Sequence, residues 1–479
     1  MNELILDILK QLRDGSQEAL DTHQLEMLIN SHNSGIDSSA HSTEREKLIP
    51  KRAILPYFLQ AKQKNDELWQ SWNVTPELEE KFIRSVRMKP RRTASGVATI
   101  TVITRPHTCS SNCIYCPCDL RMPKSYLANE PACQRAELTF FDPYVQVAAR
   151  LQALHQMGHS TDKVELIVLG GTWSDYPEGY QYWFIKELFR ALNEWPNSPS
   201  HIQERLDWYT SFGLQNTEEA LSSFVAEQQK TIFEDTATYN QAFHKLYDTS
   251  RPHQSAWSQM QSTYDELVEQ QHVNETAAAR VVGLVIETRP DTITPDNLRM
   301  FRQLGCTKIQ IGIQSTRQEI LDANKRQMSA AQIKRAFSLI RLYGFKIHSH
   351  LMVNLLGATP EADKQDFKTF VTDPGFLPDE IKLYPCALVS GTQLVRKYRE
   401  GAWQPYAKDE LVDVLVQDVL NTPPYVRISR MIRDISATDI LVGNKHTNLR
   451  QMVEQELAAK DVASRVQEIR FREINQQQV

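Results

Sequence analysis

An apolar, β-branched run, Val97-Ala-Thr-Ile-Thr-Val-Ile-Thr104, passes directly into Arg105-Pro-His-Thr-Cys-Ser-Ser-Asn-Cys-Ile-Tyr-Cys-Pro117, and no other feature restricts the fold as strongly. The run reads as a buried strand, so the cysteine loop sits at a strand's C-terminal end, where barrel folds place their active sites. Cys109, Cys113 and Cys116 have the spacing Cys-x-x-x-Cys-x-x-Cys on one tight loop. Three such thiolates can hold three corners of a 4Fe-4S cube and leave the fourth iron open to a small molecule. A disulfide framework does not fit seven cysteines in 479 residues, which describe a reduced, cytoplasmic chain. A structural zinc site would want a fourth ligand, for which Cys118 and Cys133 are on offer.

Downstream, strands and helices alternate. Strands are predicted at Val164–Leu169, Val281–Ile286, Lys308–Ile313, Lys346–Met352 and Glu380–Tyr384, with helices near Pro143–Met157, Tyr180–Asn193, Leu298–Leu304, Ala330–Tyr343 and Asp363–Phe370. Such alternation implies parallel βα units. Counting from Val97 gives six, hence an α/β fold built on an open, six-unit partial (β/α) barrel over residues 96–400. Residues 194–279, charged and rich in Gln, Glu and Ala, read as a helical insertion, because nothing in a βα loop requires that length. Residues 119–135 read as a polar loop. A small C-terminal region follows at 401–479, with helices at Lys408–Leu420 and from Asn448 to about Val462.

The first 95 residues read as a helical N-terminal domain, with apolar residues at helical spacing before and after a polar linker at 31–45. No apolar run approaches the ~20 residues that span a bilayer, and no membrane role is expected. Net charge is −5, so the total demands no nucleic-acid partner. Its distribution is more informative. Lys81, Arg84, Arg87, Lys89, Arg91 and Arg92 place six cations within twelve residues, a stripe that can neutralise RNA phosphates or merely form a solvated face.

Polar groups gather at the predicted strand ends. Gly170-Gly171-Thr172 follows the second strand, where two glycines either make a tight turn or let backbone N–H groups approach a ligand. Glu287 and Arg289 end the third, as ligand contacts or as an ion pair with each other. Gln314-Ser315 closes the fourth. His348 and His350 share a face of the fifth, at least one of them as a satisfied core histidine. Lys382 on the sixth could meet a phosphate or a carboxylate, or pair with Glu380.

With Tyr115 in the last gap, the cysteine loop resembles that of the radical S-adenosylmethionine (SAM) superfamily. Further stretches narrow the likeness: Lys89-Pro-x-Arg92-Thr-x-Ser95-Gly-Val97, Pro106-His107, Cys116-Pro117, Glu130-Pro131, Arg135-Ala136, Gly158-His-Ser-x-Asp-Lys163, Gly170-Gly-Thr172, Ile286-Glu-Thr-Arg-Pro-Asp291, Gly312-Ile-Gln-Ser315, Lys382-Leu-Tyr-Pro385, Arg427-Ile-x-Arg430 and Arg433-Asp434. In that order they resemble the catalytic subunit of Elongator and its archaeal and bacterial relatives, from about Lys89 to about Glu473, interrupted by the insertion. The resemblance implies a radical-SAM enzyme that modifies C5 of the tRNA wobble uridine in a carboxymethyl-type reaction. Acetyl-CoA would supply an acetyl group, and a deoxyadenosyl radical would abstract hydrogen from its methyl. Cys109, Cys113 and Cys116 would bind the 4Fe-4S cluster; Gly170, Gly171, Thr172, Glu287 and Gln314 would surround SAM; Lys163 would lie against the acyl-CoA. The stripe from Lys81 to Arg92 would take the tRNA backbone, and an external donor would supply the electron.

The chain departs from the family in three ways. It ends at Val479, where relatives continue into an acetyltransferase-like domain, so a separate acetyltransferase protein is expected to complete the site. Residues 461–473 contain none of the zinc-binding cysteines of relatives. The family's Pro-Gly-Gly is Pro117-Cys118-Asp119 here, and Asn354 replaces an Asp. Two other readings stay open: a radical-SAM enzyme acting on another RNA or a small molecule without acetyl-CoA, and a tRNA-binding scaffold with a structural cluster.

Overall fold

The computed structural model describes residues 1–15, 17–34, 48–433, 435–445 and 448–460, with the side chain of Arg91 left out. Asp434, most of the expected linker and the segment 461–479 lie outside the described residues. The chain divides into two compact units, residues 1–98 with 149–163, and residues 99–148 with 164–479.

In the first unit, five helices, Asn2–Asp14, Thr22–Asn33, Lys51–Lys64, Asp66–Ser71 and Pro76–Val86, enclose an aromatic core. Phe58 stacks on Phe82 at 4.1 Å and on Trp72 at 5.8 Å. Leu4, Ile5, Ile8 and Leu9 are fully buried, as the i, i+3, i+4 spacing of the first helix requires.

The second unit is built on a seven-stranded curled sheet. Its strands are β1 (Ala98–Ile103), β2 (Lys163–Leu169), β3 (Arg280–Thr288), β4 (Lys308–Gln314), β5 (Lys346–Val353), β6 (Glu380–Pro385) and β8 (Arg427–Arg430), adjacent in that order. The pairs from β3 onward are parallel. Two further strands, β7 (Leu388–Val389) and β9 (Ile440–Val442), form a separate antiparallel pair. The six expected units are present, and β8 adds a strand the periodicity did not reveal. In Arg-Ile-Ser-Arg only Ile428 is buried, too short a pattern to stand out. The polar stretch 119–135 also closes with an unexpected helix, Pro131–Leu138, begun by a proline that needs no N–H partner at its first turn.

Register places the polar strand residues in two rows. Glu287, Gln310, His348, Glu380 and Arg427 pair across five strands, Gly312, His350 and Lys382 form the next row two residues on, and Arg430 joins that row three residues beyond Arg427 through a register shift. Because side chains alternate along a strand, both rows share one face of the sheet. Between the helix Glu178–Asn193 and β3, residues 194–279 form five more helices, Ile202–Ser211, Glu218–Phe233, Tyr239–Tyr247, Arg251–Ser258 and Tyr264–Asn274. No helix among the described residues is long and apolar enough to cross a membrane.

One buried acid gives the unit a pH dependence. Asp418, on the helix Lys408–Asn421, is fully buried, and neither carboxylate oxygen has a hydrogen-bond partner. Burial first, then the neighbouring carboxylates Asp363 and Asp366, push its pKa well above the ordinary value. Folding therefore favours the protonated acid. Its contribution is complete below the unfolded pKa of about 3.9 and is lost as pH rises toward the folded value. Asp418→Asn, which cannot ionise, is expected to raise the thermal midpoint at pH 8 and flatten its decline with pH, by roughly 2–4 °C for each kcal/mol recovered. A variant whose midpoint falls in parallel with wild type from pH 5 to pH 8 would exclude Asp418 as the cause.

Candidate active site

Beyond β1 the chain turns into the cysteine loop, which is pinned by residues from distant segments. The Tyr176 hydroxyl donates to the Arg105 carbonyl at 2.7 Å and lies 2.7 Å from Thr104 Oγ1. The Arg105 guanidinium is held between Tyr180 and Trp257, 4.8 and 4.1 Å from their ring centres. The Ser110 N–H donates to Asp175 Oδ2 at 2.9 Å. Ile114 donates to the Asn324 carbonyl at 3.2 Å and accepts from the Leu394 N–H at 2.9 Å. These contacts leave the three thiols little freedom.

Buried cations face the sulfurs. Arg326 Nη1 donates to Cys113 Sγ at 3.3 Å and Arg289 Nη1 at 3.9 Å, while Ser111 Oγ lies 3.2 Å away. Burial alone would raise the Cys113 thiol, but Arg326, Arg289 and Ser111 outweigh it and hold the pKa at about 6. Cys116 lacks such partners. Burial pushes it to about 12, with Cys118, Cys113 and Cys109 adding mutual repulsion and Lys124 opposing. Lys124 is itself buried and donates to the Ser111 carbonyl at 2.7 Å. Thiols close enough to repel one another, with three cations around them, suit an anionic group spread over all three sulfurs, which is the character of a 4Fe-4S cube. Among the described residues no three His, Cys, Asp or Glu side chains converge on one point as a single zinc ion would need. The corners of a cube each hold a different iron and do not need that convergence.

The proposed SAM residues fall into two groups. Gly170, Gly171 and Thr172 lie beside the cysteine loop, with Thr172 Oγ1 3.5 Å from Cys109 Sγ. Gly170 has φ +149 and Gly171 φ +87, and a Cβ on Gly170 would stand 1.7 Å from Thr104 Oγ1. Both positions therefore require glycine. Gln314 ends β4 with φ +72, beside a register shift after Gly312, and its Oε1 is buried without a partner. Glu287 accepts from the Tyr126 hydroxyl and lies 4.0 Å from His350 Nδ1. Glu287 and Arg289 do not pair with each other, because Arg289 instead chelates Asp291 at 2.9 and 3.0 Å. Lys163 is the exposed first residue of β2, at the end of the strand opposite Gly170, and is not brought to the cysteines.

On the inner rows, His348 Nε2 meets Ser429 Oγ at 2.8 Å, a satisfied core histidine. His350 Nε2 and Gln310 Nε2 are buried and unpartnered. Lys382 donates to Gln310 Oε1 at 2.8 Å, and burial pushes its pKa down to about 8, with Glu287 opposing. Glu380 is paired instead with Lys308 at 2.9 Å. The Glu130 and Arg433 motifs, far apart in the chain, form an ion pair at 2.7 Å, with Arg433 over the Tyr126 ring at 5.0 Å. Arg326, Lys124 and Asp175 were not anticipated. Nothing in Asn324-Lys-Arg326 or Met122-Pro-Lys124 marks them, and only their position against the loop does so.

In the first unit, two of the six stripe cations are already paired: Lys81 with Glu77 at 3.3 Å and Arg84 with Glu80 at 2.7 Å. Arg87 is partly buried, which lowers its pKa, while Lys89 precedes and Arg92 lies within the short 3-10 turn Pro90–Thr93. The side chain of Arg91 lies outside the described residues.

Residues 255–369 match the radical SAM superfamily and residues 378–459 the Radical_SAM C-terminal domain. The chain is 34% identical over 406 residues to a tRNA uridine(34) acetyltransferase of Methanocaldococcus infernus, covering 84% of this chain and 63% of that protein. It is 34% identical over 390 residues to one of Dehalococcoides mccartyi, covering 81% and 70%. The chain thus spans just under two thirds of the length of the first of these relatives. The solved structure of the archaeal Methanocaldococcus infernus Elp3 with N-terminus deletion (1-46) aligns with a TM-score of 0.54 at 30% identity, covering 77% of this chain and 64% of that one. With a half-barrel sheet that presents the cysteine loop, its buried cations and the paired glycines at the strand ends, the chain belongs to the radical SAM family of the tRNA uridine(34) acetyltransferases and Elongator complex protein 3.

Proposed function

We propose that this protein modifies C5 of the tRNA wobble uridine by carboxymethyl-type radical-SAM chemistry, with acetyl-CoA as the carbon donor and an acetyltransferase protein completing the site. The observation that carries this reading is the meeting of Cys109, Cys113 and Cys116 with the Gly170-Gly171-Thr172 turn, Thr172 being 3.5 Å from Cys109 Sγ. When bound, the cluster and SAM supply a radical able to abstract hydrogen from an unactivated methyl group. The chain's own residues do the rest. Arg326, Arg289 and Ser111 hold the Cys113 sulfur in its anionic form, and Lys124 adds a buried cation beside the loop. Gly170 and Gly171 let the main chain come close to the amino-acid end of SAM, where backbone N–H groups donate to its carboxylate. Glu287 and Gln314 offer acceptors toward its ribose, and Gln314 Oε1 has no protein partner to lose. Lys163, at the end of β2 away from Gly170, would touch the acyl-CoA apart from the cysteine loop and not beside it. Lys81, Arg84, Arg87, Lys89, Arg91 and Arg92 meet tRNA phosphates, a contact that weakens steeply with salt. The reaction runs in the cytoplasm with an external electron donor.

The test is anaerobic reconstitution followed by measurement of deoxyadenosine released from SAM. Wild-type protein is expected to cleave SAM faster with tRNA present, by about tenfold or more if the substrate contributes even 1.4 kcal/mol to assembling the site, and to yield a modified uridine when acetyl-CoA and the acetyltransferase are added. Cleavage indifferent to both tRNA and acetyl-CoA would transfer the reading to another substrate. Tight tRNA binding with no deoxyadenosine formed would leave a scaffold.

A further inference from the structure

Two helices of the insertion hydrogen-bond to the main chain of the cysteine loop. Asn240, at the start of Tyr239–Tyr247, makes a reciprocal pair with Cys109. The Cys109 N–H donates to Asn240 Oδ1 at 3.2 Å, and Asn240 Nδ2 donates to the Cys109 carbonyl at 2.8 Å. Gln229, on Glu218–Phe233, repeats the pattern beyond the last ligand. The Leu120 N–H donates to Gln229 Oε1 at 2.9 Å, and Gln229 Nε2 donates to the Cys118 carbonyl at 2.8 Å. Two buried phenols add to this: Tyr239 donates to the Met122 carbonyl and Tyr247 to the Leu120 carbonyl, each at 2.7 Å.

A side-chain amide that donates and accepts against one peptide segment does what a neighbouring strand would do. The two amides grip the loop on both sides of Cys113 and Cys116. Between Ile103 and Pro131 the loop has no strand or helix of its own, so its buried backbone groups need partners from elsewhere. Thr238 and Asn240 also wall a cavity of about 170 Å³ together with Cys109, Ser111, Asn112 and Lys124. The insertion thus touches the ligand loop itself and not only its outer surface.

We propose that the insertion is a splint for the cysteine loop, with Asn240 and Gln229 as positioning residues that set where the three sulfurs stand toward the cluster. This rests on the cluster reading above for its purpose, though not for its contacts. The experiment therefore has one arm that needs no cluster and one that does. In the first, amide hydrogen exchange of the apo protein is measured at Cys109 and Leu120 in wild type, Asn240→Ala, Gln229→Ala and the exposed control Glu227→Ala. In the second, the anaerobically reconstituted proteins are compared by iron release to a chelator and by the electron paramagnetic resonance spectrum of the reduced state.

Asn240→Ala and Gln229→Ala are expected to fold, to exchange those amides faster, and to release iron about tenfold faster, the size that two lost hydrogen bonds carry. Their spectra should be shifted or broadened. Asn240→Asp keeps the acceptor for the Cys109 N–H but sets a carboxylate oxygen against the Cys109 carbonyl, so it should release iron at least as fast as Asn240→Ala. Glu227→Ala should match wild type in every readout. Unchanged exchange in folded variants overturns the proposal. Faster exchange with unchanged iron release and spectrum overturns it too, because the contacts would then be packing alone. Wild-type protein that takes up no iron overturns the proposed function and the positioning role with it, while the exchange arm still reports whether the contacts exist.

Discussion

Cys113→Ala is expected to reduce SAM cleavage to background and to leave protein that cannot retain a full cluster. Cys113 is the most deeply committed of the three thiols: it is buried, accepts from Arg326 and Arg289, and lies beside Ser111. Alanine removes one of three anchors and leaves the fully buried Arg326 guanidinium facing a methyl group. An unmet charged donor costs roughly 1.5–3 kcal/mol, so the variant should also melt earlier. Cys118→Ala and Cys133→Ala are the informative controls. Cys118 directs its thiol to the Cys116 carbonyl, and Cys133 is buried in an apolar cluster on Pro131–Leu138. Both variants should keep iron, sulfide and activity near wild type. Equal loss of iron in Cys118→Ala and Cys113→Ala would sink the assignment of the triad.

Gly170→Ala is the second large effect, and it acts through sterics. A Cβ at residue 170 would lie 1.7 Å from Thr104 Oγ1 and 2.9 Å from Thr104 Cβ, and the backbone there has φ +149. Thr104 cannot simply swing aside, since its hydroxyl is held 2.7 Å from Tyr176 OH, which in turn holds the Arg105 carbonyl. Relief requires β1 and β2 to separate at the ends that carry the cysteine loop and the glycine turn. The expected cost is roughly 3 kcal/mol or more, with loss of SAM binding, read by thermal melting and by equilibrium binding of SAM to the reconstituted protein. Gly171→Ala should cost less, roughly 1–2 kcal/mol, because its new Cβ meets only the Lys124 carbonyl at 3.1 Å and the penalty is mainly the left-handed backbone. Thr104→Gly in the Gly170→Ala background should recover part of the loss. A Gly170→Ala protein with wild-type melting would mean that Thr104 does not stand against the turn.

Much of the architecture was legible because its signals are local. Each of the six expected strands carries an apolar run of the right length, and the helices between them repeat at 3.6 residues, so the parallel half-barrel follows from short stretches read one at a time. β8 escaped because four residues with one buried side chain carry no period. The cysteine triad stood out for the same reason as the strands: its members lie within eight residues of one another on one loop.

The counter-charges were not legible. Arg326 is 213 residues from the sulfur it meets and Asn240 is 131 from the peptide it holds. Even neighbours left the choice open: Glu287 and Arg289 could meet a ligand or pair with each other, and the structure excludes the pair by giving Arg289 to Asp291 and Cys113, and Glu287 to Tyr126. Periodicity and spacing by themselves determined the layered α/β class and the place of the cysteine loop at a strand's end, because hydrophobic burial and closely spaced thiols both leave marks within a few residues. Tertiary structure alone decided which cations surround the thiols and what holds the loop in shape. A buried charge answers to whatever lies within a few ångströms of it, and strand order, not sequence order, sets that neighbourhood.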